Sequence, residues 1–189
     1  MAGQNAQVAI EAASTAAPGR WLLEEAADWW DLVRFGPPGH EVYVRVAFDD
    51  SPLAEPRDTV REALDVLAGH TATRDAAYAA VWEGWTGSGR VPAAPVLPVP
   101  NRTLLLFTAS VAELRDVPEV AWHGVSGHGG APPHLAWPED RAWCLACEVD
   151  EEIEFTVGCS RAAADALAAA LPDHVREVAY GEQVPLWRE

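Results

Sequence analysis

The chain has 189 residues, of which 49% are hydrophobic, and this length and composition suit one domain with a sizeable buried core. Its formal net charge of -16 disfavours binding to nucleic acid, and no apolar run reaches the roughly 18 residues that a membrane-spanning helix needs, so neither nucleic acid nor a membrane is an expected partner. The 3 cysteines are close together in sequence and residues 1–18 contain no basic residue, which is unlike a secreted, disulfide-bonded protein and predicts a cytoplasmic one.

The first half of the chain is predicted to be mostly helical. Residues 1–18 are rich in Ala, Ser and Gln, and we expect them to form a disordered tail before a single domain over 19–189. Apolar residues at helical spacing predict three helices, and Val residues in alternation predict a strand. These elements are a helix over 22–33, a strand over 41–48, and helices over 60–67 and 73–85.

The second half is predicted to contain most of the strands. Prolines in residues 90–101 indicate an extended connector inside the domain, and glycines in residues 124–133 indicate a loop. The other elements are a strand over 102–108, a hairpin of strands over 141–149 and 153–159, a helix from Ser160 to Leu171, and a short strand over 175–180. Strands at hairpin spacing predict a mainly antiparallel sheet with helices packed on one face, which is the α+β class.

Two aromatic motifs are the most distinctive features of the sequence. Trp-Pro-Glu-Asp-Arg-Ala-Trp occupies residues 137–143, and Trp-Glu-Gly-Trp occupies residues 82–85. Together with further matches between about residue 40 and residue 170, these motifs resemble a family of uncharacterised actinobacterial proteins. The resemblance implies an actinobacterial origin and one continuous domain, and it implies no activity because none is known for that family. The chain departs from the family pattern at Asp49 and Cys159.

Tryptophan and arginine are the residues that most often anchor interfaces, and they supply the predicted contact surface. The candidate binding residues are Trp82, Trp85, Trp137, Arg141 and Trp143. Strand alternation places Arg141 on the same side as Trp143, so we predict that Arg141 is buried and hydrogen-bonded to a carboxylate or to backbone carbonyls. An exposed Arg141 would instead indicate that the motif serves a ligand. For the 9 tryptophans as a set, the alternative is a tryptophan-rich core.

A small-molecule enzyme, such as a hydrolase, is the alternative to a binding protein. Its site would lie between the loop over 123–134 and Asp140, a carboxylate set among large aromatic residues that can shift its pKa. Asp140 would act as the acid–base group, assisted by His123 or His128. The structural alternative is a buried Asp140–Arg141 pair that orders the chain at the start of the hairpin.

The remaining polar clusters predict neither a metal site nor a cofactor site. Cys144 and Cys147 are three positions apart in a predicted strand, so their thiols should lie on opposite faces and cannot share a metal. The run Asp150-Glu151-Glu152 is expected to be a solvated turn between the hairpin strands. The sequence has no glycine-rich phosphate loop, and we expect no cofactor.

The favoured hypothesis is a non-enzymatic cytoplasmic protein that binds or regulates a protein partner. Its acidic charge suits a partner with a basic surface, as in inhibitor and immunity proteins, although the same charge also serves solubility. A flat, exposed aromatic patch would favour this binding role. Side chains of Asp140, Arg141 and histidine that converge in a pocket would favour the enzyme.

Overall fold

The computed structural model describes residues 10–24, 28–49, 54–86, 93–117 and 132–187. Within these ranges the chain forms four α-helices and one antiparallel sheet of nine strands, which confirms the predicted α+β class. The helices are α1 (Arg20–Glu24), α2 (Trp29–Phe35), α3 (Pro56–Leu67) and α4 (Arg161–Ala170). The strands are β1 (Glu11–Ala12), β2 (Val42–Ala47), β3 (Ala77–Trp82), β4 (Val96–Val99), β5 (Arg102–Ala109), β6 (Leu135–Pro138), β7 (Cys144–Ala146), β8 (Glu154–Cys159) and β9 (Val175–Val178).

The strands follow one another across the sheet in the order β1-β5-β3-β6-β7-β8-β2-β9, and β4 also pairs with β5. The predicted hairpin is confirmed as β7 and β8, in which Leu145 pairs with Val157. β2 lies between two strands from late in the chain, because it pairs with β8 on one side and β9 on the other. No helix in the described ranges has the length and apolar character needed to cross a membrane.

Apolar side chains cover both faces of the sheet. On one face, Val44 shares an apolar layer with Leu64 of α3 and Leu167 of α4, which is the predicted packing of helices on one face. On the opposite face, Leu22 of α1 and Leu32 of α2 belong to a second apolar layer. Successive side chains of a strand point to opposite faces, and here both sets are apolar, so both faces need a cover. The short helices α1 and α2 cover the second face, which the prediction did not include.

The segment predicted as one helix over 22–33 forms two helices. α1 ends at Glu24, and Asp28 begins α2 by accepting a hydrogen bond from the backbone N of Trp30 at 2.9 Å. Aspartate favours a new helix start because its side chain binds a backbone N–H that the first helical turn leaves unpaired. Gly36, with a φ of 76°, ends α2 in a conformation that glycine adopts at little cost.

The prediction of a helix over 73–85 is wrong, because this segment contains the strand β3. Ala79 and Val81 face the layer of α3 and α4, whereas Ala80 faces the layer of α1 and α2. β3 lies between β5 and β6 and is covered on both faces. Its apolar residues therefore do not alternate with polar ones as they do in a strand with one solvated face.

Two segments predicted to lack secondary structure contribute strands. β4 lies in the proline-rich segment over 90–101 and pairs with β5, where Pro98 is tolerated because an edge strand has one free side. β1 lies in the predicted tail over 1–18 and also pairs with β5. The disordered-tail prediction is therefore wrong from residue 10 onward, while residues 1–9 lie outside the described ranges.

Candidate functional site

Arg141 lies in the turn between β6 and β7 and is exposed, so the prediction that it is buried is wrong. Its backbone is left-handed, with a φ of 56°, and its N–H donates to the carbonyl O of Pro138 at 2.9 Å. This turn interrupts the strand alternation that the prediction assumed before Trp143. The guanidinium lies over the indole of Trp21, 4.9 Å from the ring centroid, and makes no hydrogen bond or ion pair with the described residues. The exposed guanidinium does not support a structural role, and a role of the motif in binding a ligand stays a prediction.

Asp140 precedes Arg141 and fixes the shape of the same turn. Its carboxylate accepts hydrogen bonds from Thr71 Oγ1 at 2.8 Å and from the backbone N atoms of Ala72 at 2.7 Å and Ala142 at 3.1 Å. Burial acts to raise the pKa of Asp140, but the hydrogen bonds outweigh it and the pKa is lowered. A carboxylate held in its charged form by several donors is a poor acid and a poor base, so this geometry supports a structural role.

An open cleft of about 320 Å³ lies beside Arg141, and we call it the Arg141 cleft. It is lined by Trp21, Pro38, Gly39, His40 and Arg141, which come from α1, the link between α2 and β2, and the turn between β6 and β7. These lining residues include one cation and two aromatic rings, and none of them carries a carboxylate. The cleft therefore offers one positive charge next to apolar surface.

A second cleft, of about 380 Å³, also reaches Arg141, and we call it the Glu139 cleft. Its lining residues are Thr15, Ala17, Pro18, Tyr78, Trp137, Glu139 and Arg141. The hydroxyl of Tyr78 donates to Glu139 Oε2 at 3.0 Å, and burial together with this hydrogen bond raises the pKa of Tyr78. The two clefts thus share Arg141 but differ in charge, because the second one contains an acidic side chain.

Two side chains of the Arg141 cleft carry buried polar atoms without a hydrogen-bond partner. The indole N–H of Trp21 and the Nε2 atom of His40 bind no other residue in the part of the chain that the structure describes. Buried polar groups in proteins are nearly always hydrogen-bonded, so each of these unpaired atoms is unfavourable for the folded state. Burial lowers the pKa of His40 to about 4, which leaves its imidazole neutral at pH 7.

Close packing fixes His40 at the cleft. A Cβ atom added to Gly158 of β8 would come within 2.6 Å of His40 Cδ2. The hydroxyl of Tyr43 accepts a hydrogen bond from the backbone N of His40 at 3.3 Å and donates one to the carbonyl O of Pro37 at 2.7 Å. A glycine in the strand therefore provides the space that the imidazole occupies.

The predicted binding tryptophans are not brought together. Trp143 is fully buried in the layer of α3 and α4, and its Nε1 donates to the carbonyl O of Leu67 at 3.1 Å. Trp137 is buried in the opposite layer, where it contacts Trp21 edge-on with ring centroids 6.2 Å apart. Trp82 is half-buried against that second layer. These positions agree with the tryptophan-rich core, and Trp137 also lines the Glu139 cleft.

Other predicted site residues lie outside the described ranges. These are His123 and His128, with most of the loop over 123–134, and the side chain of Trp85. At the end of that loop His134 is buried, and its Nδ1 accepts a hydrogen bond from the backbone of β3 at 2.9 Å. The proposed assistance of Asp140 by a histidine of the loop stays a prediction.

No family model, curated protein or solved structure matches the chain. The resemblance to the actinobacterial family therefore stays a prediction.

A buried cluster of charges at α2 and β2 escaped prediction. Glu151, expected to be solvated, is buried, and its Oε1 lies 2.8 Å from Nη2 of Arg34 and also pairs with Arg45. Arg45 donates to Thr156 Oγ1 at 2.9 Å, and its Nε lies 2.9 Å from Glu154 Oε1. Buried charges need such partners because they have lost their contact with water. The available sequence signal was Arg45 itself, a charge in the middle of an alternating valine strand.

The three cysteines are free and buried. Cys144 belongs to the layer of α1 and α2, whereas Cys147 and Cys159 belong to the layer of α3 and α4, which confirms that Cys144 and Cys147 face opposite ways. Burial raises the pKa of each thiol, to about 12 for Cys159. Among the residues described, no group of three or more His, Cys, Asp or Glu side chains is placed to hold a metal ion.

Proposed function

We propose that the protein is a non-catalytic binding protein whose contact surface is centred on Arg141 and Trp21. The observation that carries this proposal is the state of Arg141. It is exposed and left-handed, and it lacks an ion pair within the described ranges of a chain whose net charge is -16. The left-handed conformation costs a non-glycine residue roughly 1–2 kcal/mol. Such costs are concentrated at positions that serve ligands.

Contacts with aromatic rings order the side chain of Arg141 before a partner binds. Its guanidinium is stacked on Trp21, which in turn contacts Trp137. Tyr78 also stacks on Trp137, with ring centroids 5.8 Å apart. A side chain that is already ordered loses little conformational entropy on binding, so association is opposed less. Arginine and tryptophan are also the residues that most often dominate the free energy of protein–protein binding.

A protein partner that is basic overall, but that presents an acidic group to Arg141, suits the charges of the chain. The 29 acidic residues outnumber the 13 basic ones, and such an imbalance accelerates encounter with a basic protein. Free, buried thiols suit the reducing conditions of the cytoplasm, and we include that location in the proposal. The hydrogen bonds of Asp140 support this role rather than an acid–base role, because they fix the turn that presents Arg141.

Capture from an extract of the source organism tests the proposal. The immobilised full chain is compared with Arg141→Gln and with Arg74→Gln, a matched control at another exposed arginine that has no side-chain ion pair within the described ranges. We expect a partner that the wild type and Arg74→Gln retain equally. Arg141→Gln should reduce its retention at least about tenfold, which is the effect of losing roughly 1.4 kcal/mol of binding free energy. Equal retention by all three chains, or no retained protein, would contradict the proposal.

A further inference from the structure

We propose that the Arg141 cleft binds a carboxylate group through the guanidinium of Arg141, beside the indole ring of Trp21. The inference rests on the proposed function, because it names the chemistry of the ligand at the same site. The carboxylate belongs either to a free small acid or to the carboxyl terminus of a peptide chain. Both sources present the same group to the cleft.

Charge favours a single anionic group in this cleft. Arg141 is the cation among its lining residues, and none of those residues is acidic. The Glu139 cleft has the opposite character, because Glu139 lines it and binds the hydroxyl of Tyr78. An anion attracted to Arg141 is therefore repelled from the Glu139 cleft and directed into the Arg141 cleft.

A carboxylate matches the donors of a single arginine. Two parallel N–H groups of a guanidinium can bind the two oxygens of one carboxylate. Contact with the Trp21 ring restricts the guanidinium of Arg141, while its N–H groups bind no other described residue. Phosphate sites are usually built from several basic residues or from helix N-termini, whereas the lining of this cleft has one cation. A monoanion such as a carboxylate therefore matches the charge of this cleft better than a phosphate does.

Trp21 contributes its indole ring to the wall of the cleft, but not its N–H group. Trp21 is only 7% exposed, and its Nε1 has no acceptor within the described ranges. That atom is closed to solvent, so the exposed guanidinium of Arg141 is the donor that a ligand in the cleft can reach. The guanidinium of Arg141 can only donate, so a group that only accepts, such as a carboxylate, matches it.

The other lining residues define what accompanies the carboxylate. Pro38 and the ring of Trp21 present apolar surface, which favours an aromatic or aliphatic group next to the charge. His40 lines the cleft without adding a charge at pH 7. The volume of about 320 Å³ lies at the lower end of the range for ligand clefts. The ligand is therefore small, or it is the last residue of a longer chain.

NMR spectroscopy of the full, ¹⁵N-labelled chain tests the inference with defined probes. Phenylacetate represents a free acid, N-acetylphenylalanine represents a peptide carboxyl terminus, and the amide of each is an uncharged control. The measured quantity is the shift of the Trp21 indole N–H signal, which Trp21→Phe identifies by its loss. We expect a saturable shift with at least one of the two acids, with a Kd on the order of 1 mM, and none with the amides.

Variants connect that shift to the proposed contacts. Arg141→Gln should raise the Kd at least about tenfold, because it replaces the charged guanidinium and its two parallel N–H groups with a neutral amide. Arg74→Gln should leave the Kd unchanged. Tighter binding of N-acetylphenylalanine than of phenylacetate would support the inference with a peptide terminus as the source, and the reverse order would support it with a free acid.

Several results would overturn the inference. These are equal shifts with the acids and their amides, tighter binding of inorganic phosphate than of either acid, no saturable shift at all, or an unchanged Kd in Arg141→Gln. A partner captured through Arg141 without any carboxylate binding would overturn this inference alone and leave the proposed function standing. Carboxylate binding without an Arg141-dependent partner would contradict the proposed function and support the assignment of the cleft.

Discussion

The adjacent residues Asp140 and Arg141 have different roles in the turn between β6 and β7. The carboxylate of Asp140 accepts hydrogen bonds from Thr71 and Ala72, which follow α3, and so ties the turn to another part of the fold. Arg141 adopts the left-handed conformation that the turn requires and leaves its side chain at the surface. Stability should therefore depend on Asp140, and binding should depend on Arg141.

Substitutions at these two positions should separate stability from binding. Asp140→Ala is expected to lower the free energy of unfolding by about 1–3 kcal/mol, because it removes the charged acceptor of several hydrogen bonds. Arg141→Gln should change it by less than about 1 kcal/mol, since it loses an exposed cation–π contact. Urea unfolding gives both values. A larger loss in Arg141→Gln than in Asp140→Ala would show that Arg141 serves the fold.

His40 should make the stability of the protein depend on pH. Burial lowers its pKa from 6.5 to about 4 in the folded protein, so the folded state binds fewer protons than the unfolded state between these values. The stability that neutral His40 contributes is complete above about pH 6.5 and is lost as the pH falls towards 4. In urea unfolding between about pH 7 and pH 4.5, the wild type should lose about 2 kcal/mol more than His40→Asn. Parallel pH profiles of the two proteins would refute this.

At the scale of elements, a strand can be predicted from the sequence more easily when polar or other side chains alternate with its apolar ones. β2 is predictable because Val44 and Val46 alternate with side chains of other types. β3 is not, because layers of helices make both of its faces apolar, and a short apolar run fits a helix equally well. β4 is not predictable either, because it contains Pro98 and proline is compatible with a strand only at an edge or a bulge.

The candidate site is predictable from the sequence only in part. Arg141 is conspicuous, because it is a charged residue in a short motif bounded by tryptophans. Trp21 is not, because only the tertiary fold determines which of the tryptophans meets that arginine. The place of His40 likewise depends on Gly158, which leaves space for the imidazole from a strand far along the chain.

β8 should tolerate a side chain at position 158 poorly. A Cβ atom there would lie 2.6 Å from His40 Cδ2 and 2.8 Å from Tyr43 Cε1, so we expect Gly158→Ala to lower the free energy of unfolding by about 1–3 kcal/mol. Gly69→Ala is the matched control, because its Cβ would meet nothing within 4 Å. Urea unfolding of both variants measures the difference. Equal stability of the two would show that His40 and Tyr43 move aside without cost.

Glu151 should be essential to the packing of α2 on β2. Both Arg34 and Arg45 pair with it in the interior, so Glu151→Gln leaves buried cations without their counter-charge and should lower the free energy of unfolding by about 3–5 kcal/mol. The neighbouring Glu152 is exposed, and Glu152→Gln should change the value by less than about 0.5 kcal/mol. Denaturant unfolding compares them. A loss below 1 kcal/mol in Glu151→Gln would be inconsistent with this role.

At the scale of the whole molecule, the thiols report on global unfolding. Cys144 lies in one apolar layer, whereas Cys147 and Cys159 lie in the other. Burial blocks access to them and raises their pKa values, and both effects suppress the reactive thiolate. Under native conditions we expect no alkylation by iodoacetamide, and mass spectrometry should find all three thiols modified after unfolding in urea. Rapid labelling of any thiol in the native protein would show that its layer opens locally.

The position of β2 between β8 and β9 has a consequence for synthesis on the ribosome. β2 emerges early, yet both of its hydrogen-bonding neighbours are translated much later. Until then it is an unpaired segment rich in valine, which is the kind of sequence that associates with other nascent chains. The positive charge of Arg45 at its centre discourages such association, as a gatekeeper residue does. Pairing with Glu151, which is made just before β8, then allows the same charge to enter the core.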